Sequence, residues 1–398
     1  MMAEWQTKTL GEVCTFENGD RGENYPSKSV QTTTGVPFIN AGHLTEFGLD
    51  FETMNYIPRE RFDLLGNGKI RKNDILFCLR GSLGKFASVG DLAEGAIASS
   101  LVIVRPKESV IDAFVSAYFQ SDLCASMIDR YKNGAAQPNL SAGSLKNFII
   151  PLPPLPEQQR IVTILDEAFD GIATAKANAE KNLQNARALF ESHLQSVFSQ
   201  RGEGWVEKRL EQIGSTQTGS TPKSSEQGNY GDFIPFIKPA DFNKDGSLDY
   251  ENDGLSEQGF KTARKIAANS VLMVCIGATI GKCGWCDRDV VSNQQINAFT
   301  PTEGVSNKFI YYQMLTEDFQ KRVLHSSGQA TLPIINKSKW SSLTVVLPPK
   351  YAEQERIVDQ FDKLIGETQH LESIYQQKLA ALDALKKSLL DQAFTGGL

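Results

Sequence analysis

The chain has 398 residues, 40% of them hydrophobic and 22% charged, with a formal net charge of −6; these proportions exclude a disordered or fibrous chain and leave room for two or three folded domains. The opening MMAEWQTKTLGEV has neither a basic nor an apolar leader segment, and eighteen consecutive apolar residues occur nowhere, so we expect neither export nor membrane insertion and a cytoplasmic location. The acid is unevenly spread, at net −2 over 1–156, −2 over 157–200, +1 over 201–350 and −3 over 351–398, so the excess falls on the segments 157–200 and 351–398, and composition is neutral on nucleic acid.

In chain order, residues 1–155 read as a first globular domain. Short β-rich runs bounded by Gly or Pro, such as Ile75 to Leu79, Ser100 to Pro106 and FIIPLPP, are interrupted by one helix pattern, VIDAFVSAYFQSDLCASMIDRY. LPPLPEQQRIV, from Leu152, then opens a long helix over 156–200. Its prolines set an extended entry, and Glu and Gln fill the first turn, where the helix N-terminus favours carboxylates. In steps of three and four the helix carries Val162, Leu165, Phe169, Ile172, Lys176, Ala179, Leu183, Ala186, Phe190, His193 and Val197, a seam of mean period 3.5.

Everything then recurs. Trp205, Lys208 and Leu210 repeat Trp5, Lys8 and Leu10; IPFIK repeats VPFIN; ANSVLMVCIGATIGK repeats KNDILFCLRGSLGK with one residue inserted; and SGQATLPIIN falls beside NGAAQPNLS. Residues 201–350 are therefore a second copy of the globular domain, alike in framework and different in polar residues. After it, Glu353, Gln354, Arg356, Ile357 and Val358 repeat Glu157, Gln158, Arg160, Ile161 and Val162, and a second helix over 351–398 carries the seam Val358, Phe361, Ile365, Thr368, Glu372, Tyr375, Leu379, Leu382, Lys386, Leu389 and Ala393. Each helix would be roughly 60 Å long at 1.5 Å per residue. Helices of that length with one apolar stripe need a partner, and the obvious partner of each is the other.

Familiar catalytic patterns are missing. GATIGK (Gly277 to Lys282) has three residues between its glycines and Cys283 after the lysine, and RGSLGK has only two, so neither makes the amide nest of a phosphate loop. A tight glycine turn between buried strands is one reading; the other is a close approach of backbone and Lys85 or Lys282 to a DNA phosphate. A base-methylating site needs an Asn- or Asp-Pro-Pro-aromatic tetrapeptide, but both Pro-Pro pairs here follow leucine. Asp241 and Lys244 come nearest to a metal-dependent nuclease site and read better as a solvated turn. Of six cysteines only Cys283 and Cys286 have ligand-like spacing, without two further ligands nearby, so no metal and no cofactor is expected.

A globular domain, an LPPLPEQQRIV helix, a second, different globular domain and an LPPKYAEQERIV helix ending QAFTGGL, with the GSLGK and GATIGK turns and the GAAQPNLS segment, resemble the specificity (S) subunit of type I restriction-modification enzymes over essentially the whole chain. The resemblance implies an α+β chain with internal duplication: two target recognition domains, each reading half of a bipartite asymmetric double-stranded DNA sequence, separated by two long coiled-coil helices. It implies two methyltransferase (M) subunits bound by the helical regions and restriction (R) subunits, two by expectation, added for cleavage. With the helices antiparallel, the repeat generates a pseudo-twofold axis with one reader at each end. The two charged seam residues, Lys176 and Glu372, would then meet near that axis and select the register. Candidate DNA-contacting residues are Arg21, Lys28, Arg80, Ser82, Lys85, Gln137 and Asn139 in the first copy and Lys223, Lys282, Asn293, Gln294, Gln329 and Thr331 in the second; Arg, Gln and Asn can make bidentate contacts to base edges, whereas the lysines suit phosphates. The competing readings are a coiled-coil scaffold that binds proteins and a self-sufficient DNA methyltransferase.

Overall fold

The computed structural model describes residues 5–398 other than 47, 135–137, 224 and 329–331. The chain divides into two units, one made of residues up to Ala179 with Lys378–Leu398, the other of Glu180–Gln377. Both use the same topology. In the first, an antiparallel sheet runs in the order Cys14–Asn18, Leu101–Pro106, Ile75–Cys78, Phe86–Ser88; in the second, the order is Gly214–Thr218, Ile296–Pro301, Val271–Val274, Cys283–Trp285. The two inner strands of each sheet are mostly buried, and three of the four, ILFC, LVIVRP and VLMV, open on consecutive apolar residues. A smaller mixed sheet stands beside each, with Val36–Ile39 parallel to Ala96–Ile97 in the first unit and Tyr230–Ile237 parallel to Val291–Ser292 in the second. A two-stranded ribbon, Gln6–Thr9 with Ile149–Leu152 and Val206–Arg209 with Thr344–Leu347, brings the start of each globular copy to the foot of a long helix.

The single helix expected over 110–131 is two. Asp112–Gln120 ends and Asp122–Tyr131 begins at Ser121, whose backbone is extended while its Oγ donates to the Tyr118 carbonyl and accepts from the Cys124 N–H. Thr316 breaks the second copy in the same way, between Asn307–Met314 and Glu317–Ser327. Neither break contains Gly or Pro; a capping hydroxyl followed by an acidic residue is what terminates one helix and starts the next.

The long helices span Leu155–Gln200 and Tyr351–Thr395. Every seam position of the second is buried or half-buried, and of the first all but His193. There the burial moves one residue on, to Leu194 and Phe198, as the helix enters the core of the second unit. The helices are antiparallel in both units. Ile161, Val162 and Leu165 share the first core with Leu390, Ala393 and Phe394, whereas Leu194 and Phe198 share the second with Ile357, Val358 and Phe361.

The repeated Glu-Gln at each helix entry has a mechanical meaning. Gln158 is fully buried, accepts from the Ile111 N–H at 2.9 Å and donates to the carbonyls of Ser109 at 3.1 Å and Pro153 at 2.8 Å. Gln354 accepts from the Ser306 N–H at 2.9 Å and donates to the Gly304 carbonyl at 3.1 Å. Each amide bolts a helix to the loop preceding the helix pair of its own globular copy, and the bonds with the Pro153 carbonyl and the Ser306 N–H are buried. Gln158→Ala and Gln354→Ala are each expected to cost about 2–3 kcal/mol in urea unfolding of the full chain, because buried backbone partners are left unpaired. A loss below about 0.5 kcal/mol, the scale of an ordinary surface change, is the contrary result.

Candidate nucleic-acid interface

In both units the glycine turn joins the inner strand to the edge strand beyond it. In the first, Cys78 N–H donates to the Lys85 carbonyl and Gly84 N–H to the Cys78 carbonyl; in the second, Val274 pairs likewise with Lys282 and Gly281. Gly81 and Gly84 (φ +81° and +84°) and Gly277 and Gly281 (φ +102° and +90°) hold left-handed conformations that a side chain would strain. The lysines closing these turns are tethered: Lys85 Nζ donates to the Ala41 carbonyl at 3.2 Å, and Lys282 Nζ to the Pro239 carbonyl at 3.4 Å while lying over the Phe242 ring.

Three of the candidates in the first unit converge. Arg21 and Arg80, exposed and from different loops, both donate to the Ser99 carbonyl, at 3.3 and 2.8 Å, and Arg80 forms a β-bridge with the exposed Asn139. Ser82 is exposed in the same turn as Arg80, and Lys28 is exposed in the short helix Lys28–Val30. Cys78 supports the cluster from below, its Sγ donating to the Arg80 carbonyl at 3.0 Å, and burial pushes that thiol's pKa up.

In the second unit Gln294 is exposed and accepts from Thr221 Oγ1 at 2.5 Å, while Asn293 folds back on Gln295. Lys223 is exposed and pairs with Glu226 at 3.6 Å. Gln137, Gln329 and Thr331 lie outside the described residues. Sequence reading missed Ser99, whose carbonyl gathers the two arginines, Thr221, and Arg264, which donates to the Thr218 carbonyl at 3.0 Å. No local pattern marks these contacts, which join residues from 19 to 78 positions apart. Among the described residues no three His, Cys, Asp or Glu side chains form a metal-holding group; Cys283 and Cys286 are buried, and burial raises both thiols, the second to about 11.

The charged seam residues have partners other than each other. Lys176 pairs with Asp383, and Glu372 with Arg187 at 2.7 Å. Because Lys176 and Glu372 are repeat-related, as are Arg187 and Asp383, the two bridges are one pair of positions with the charges exchanged. The expected meeting of Lys176 and Glu372 assumed that each lay at the centre of the antiparallel overlap. The residues opposite them are instead Asp383 and Arg187, so each lies off that centre.

A model described as the type I restriction modification DNA specificity domain matches the chain twice, over residues 2–184 and 202–380. The specificity subunit of the type I restriction enzyme HindI of Haemophilus influenzae is 32% identical over 41% of this chain and 37% of its own length. The corresponding StySPI subunit of Salmonella potsdam is 22% identical over 99% of this chain and 89% of its own. Among solved structures, a chain from a study of complex assembly and conformational transition of the type I R-M system superposes with a TM-score of 0.80 at 21% identity, covering 99% of this chain and 98% of that one. The HsdS subunit from Thermoanaerobacter tengcongensis gives a TM-score of 0.64 at 20% identity, over 99% and 97%.

The exchanged bridges make a directional prediction. Lys176→Asp sets two acids opposite each other and is expected to lower the thermal midpoint of the full chain, while Lys176→Asp with Asp383→Lys restores it. The side chains are 32% and 65% exposed, so the effect is modest, about 0.2–1 kcal/mol, and shrinks with added salt. A double variant no better than the single one is the opposing outcome.

Proposed function

The chain belongs to the type I restriction-modification DNA specificity family, and from that premise we propose that its two globular copies read the two halves of one bipartite, asymmetric DNA site. It is a specificity subunit that supplies recognition rather than catalysis, working in a complex with DNA and with methyltransferase and restriction subunits. In finer terms, residues 1–155 and 201–350 are the recognition domains, 156–200 and 351–398 the spacer helices, and two M and two R subunits assemble on the chain in the cytoplasm. No helix among the described residues is long and apolar enough to cross a membrane.

The observation that carries this reading is one backbone scaffold built twice with different exposed side chains. A scaffold that bound one protein partner in two places would have no use for the difference, whereas two unlike readers give a non-palindromic site. On this reading helix length sets half-site spacing, about one turn of duplex (~10 bp) or more. Arg21, Arg80, Ser82 and Asn139, and Asn293 and Gln294, are the base-facing candidates. Lys28 and Lys223 suit phosphates, as do Lys85 and Lys282, since an ammonium holding one carbonyl keeps two further donors.

Exchanging residues 201–350 for those of another family member, with the methyltransferase partner co-expressed, is expected to change one half of the methylated sequence and leave the other half intact. A change in both halves, or in neither, contradicts the proposal. Methyl transfer to DNA by the purified chain without a partner contradicts it as well.

A further inference from the structure

The backbone hydrogen bonds align the two copies residue by residue around the glycine turn. Leu79 N–H donates to the Ser100 carbonyl at 2.9 Å and Leu140 N–H to the Leu79 carbonyl at 2.9 Å; Cys275 N–H donates to the Gln295 carbonyl at 2.7 Å and Ile335 N–H to the Cys275 carbonyl at 3.0 Å. The next residue out from each pair makes the same β-bridge, Arg80 with Asn139 in the first unit and Ile276 with Ile334 in the second. Ser99 then corresponds to Gln294, and Arg21, which reaches Ser99, to Thr221, which reaches Gln294.

The rim beside the glycine turn thus carries two guanidiniums and an amide in one copy, and an amide, a hydroxyl and two isoleucines in the other. The difference is exposed to solvent: Arg21, Arg80, Asn139 and Gln294 are all exposed, and Ile334 is 46% exposed where an isoleucine would ordinarily be covered. Each arginine spends one N–H on the Ser99 carbonyl and keeps the rest of its five donors. Asp20, the acid next to Arg21, accepts from the N–H groups of Gly22 and Gly66.

We infer that the two readers demand different bases at this matched position: guanine in the half-site of the first, through Arg80 with Arg21 beside it, and an A·T pair in that of the second, through Gln294 and Ile334. This rests on the globular copies being DNA readers. Guanine offers two acceptors, O6 and N7, to the major groove, and a guanidinium with donors only matches them. Adenine offers a donor and an acceptor, which an amide such as Gln294 matches, and the thymine methyl takes apolar contact from Ile334. An isoleucine facing guanine would leave both acceptors desolvated and unpaired, so the second rim rejects the base that the first one selects.

The test uses the full chain co-expressed with its methyltransferase partner, with methylated sequences mapped by single-molecule sequencing. The first copy's half-site is the one that survives exchange of 201–350, and it is expected to contain a required guanine. Arg80→Ile with Asn139→Ile should weaken that requirement by roughly 10- to 100-fold in relative methylation, leaving the other half-site unchanged. Arg80→Gln, a milder change at an exposed position, should shift preference from guanine toward adenine. Ile334→Arg should suppress methylation of the native second half-site. A bipartite sequence whose first half lacks a required guanine, or an unaltered sequence in the Arg80 variants, overturns this inference while leaving two-domain reading intact. Absence of any bipartite sequence from the wild-type chain overturns that reading and this inference with it.

Discussion

A helix of some forty-five residues with a single apolar stripe has no stable existence alone in water, and that constraint organises this chain. Within each unit the two helices run in opposite directions and share the core with the globular copy. The ends matter most. Each helix starts on a buried glutamine that locks it to its own globular copy, and each ends on a phenylalanine inserted among aromatic rings. Phe198 packs against Trp205, Phe309 and Phe361 with ring centroids 5.2–6.4 Å apart, and Phe394 against Phe114 and Tyr118 at 5.1 and 5.7 Å. A buried phenylalanine contributes about 1.5–3 kcal/mol; Phe394 brings it to the first core from the far end of the sequence, and Phe198 enters the second core just ahead of Trp205.

Duplication followed by divergence has left the framework and altered what it carries, inside as well as out. In the first unit the fully buried Asp74 takes a two-pronged contact from Arg105, at 2.7 and 2.8 Å, and Glu17 lies 3.4 Å from the same guanidinium. The matching positions in the second unit are Ser270 and Thr300, whose hydroxyls meet at 2.7 Å. An ion pair and a hydroxyl pair satisfy the same site because each leaves no buried polar group unmatched. The two bridges between the helices, with sign exchanged, follow the same logic. A framework that tolerates such replacement internally can also vary its exposed turn residues without losing the fold, which is what a family of sequence readers requires.

Much of this was legible in the sequence because it depends on local periodicity and on repetition. The duplication, the two seams and the turn character of GATIGK follow from spacing alone, and resemblance to a known family supplied the functional reading. Three things were not legible. The breaks at Ser121 and Thr316 lie inside uninterrupted helix patterns, and only a hydroxyl that caps better than the helix continues marks them. The partners of Lys176 and Glu372 depend on how far one helix slides along the other, and a seam of regular period fits several registers. The convergence of Arg21 and Arg80 on a backbone carbonyl joins loops that no sequence pattern links. Contacts made by main-chain atoms leave little trace in side-chain identity.

The reciprocal closure of the two cores can be tested by hydrogen exchange on the full chain carrying Phe394→Ala. The last turns of the second helix complete the first unit, so exchange should quicken in Asp112–Gln120, more than 270 residues earlier in sequence, while Asn307–Met314 in the second unit keeps its protection. Unchanged exchange in Asp112–Gln120, or loosening confined to Asn307–Met314, would mean that the helix ends do not close the cores in this crossed fashion.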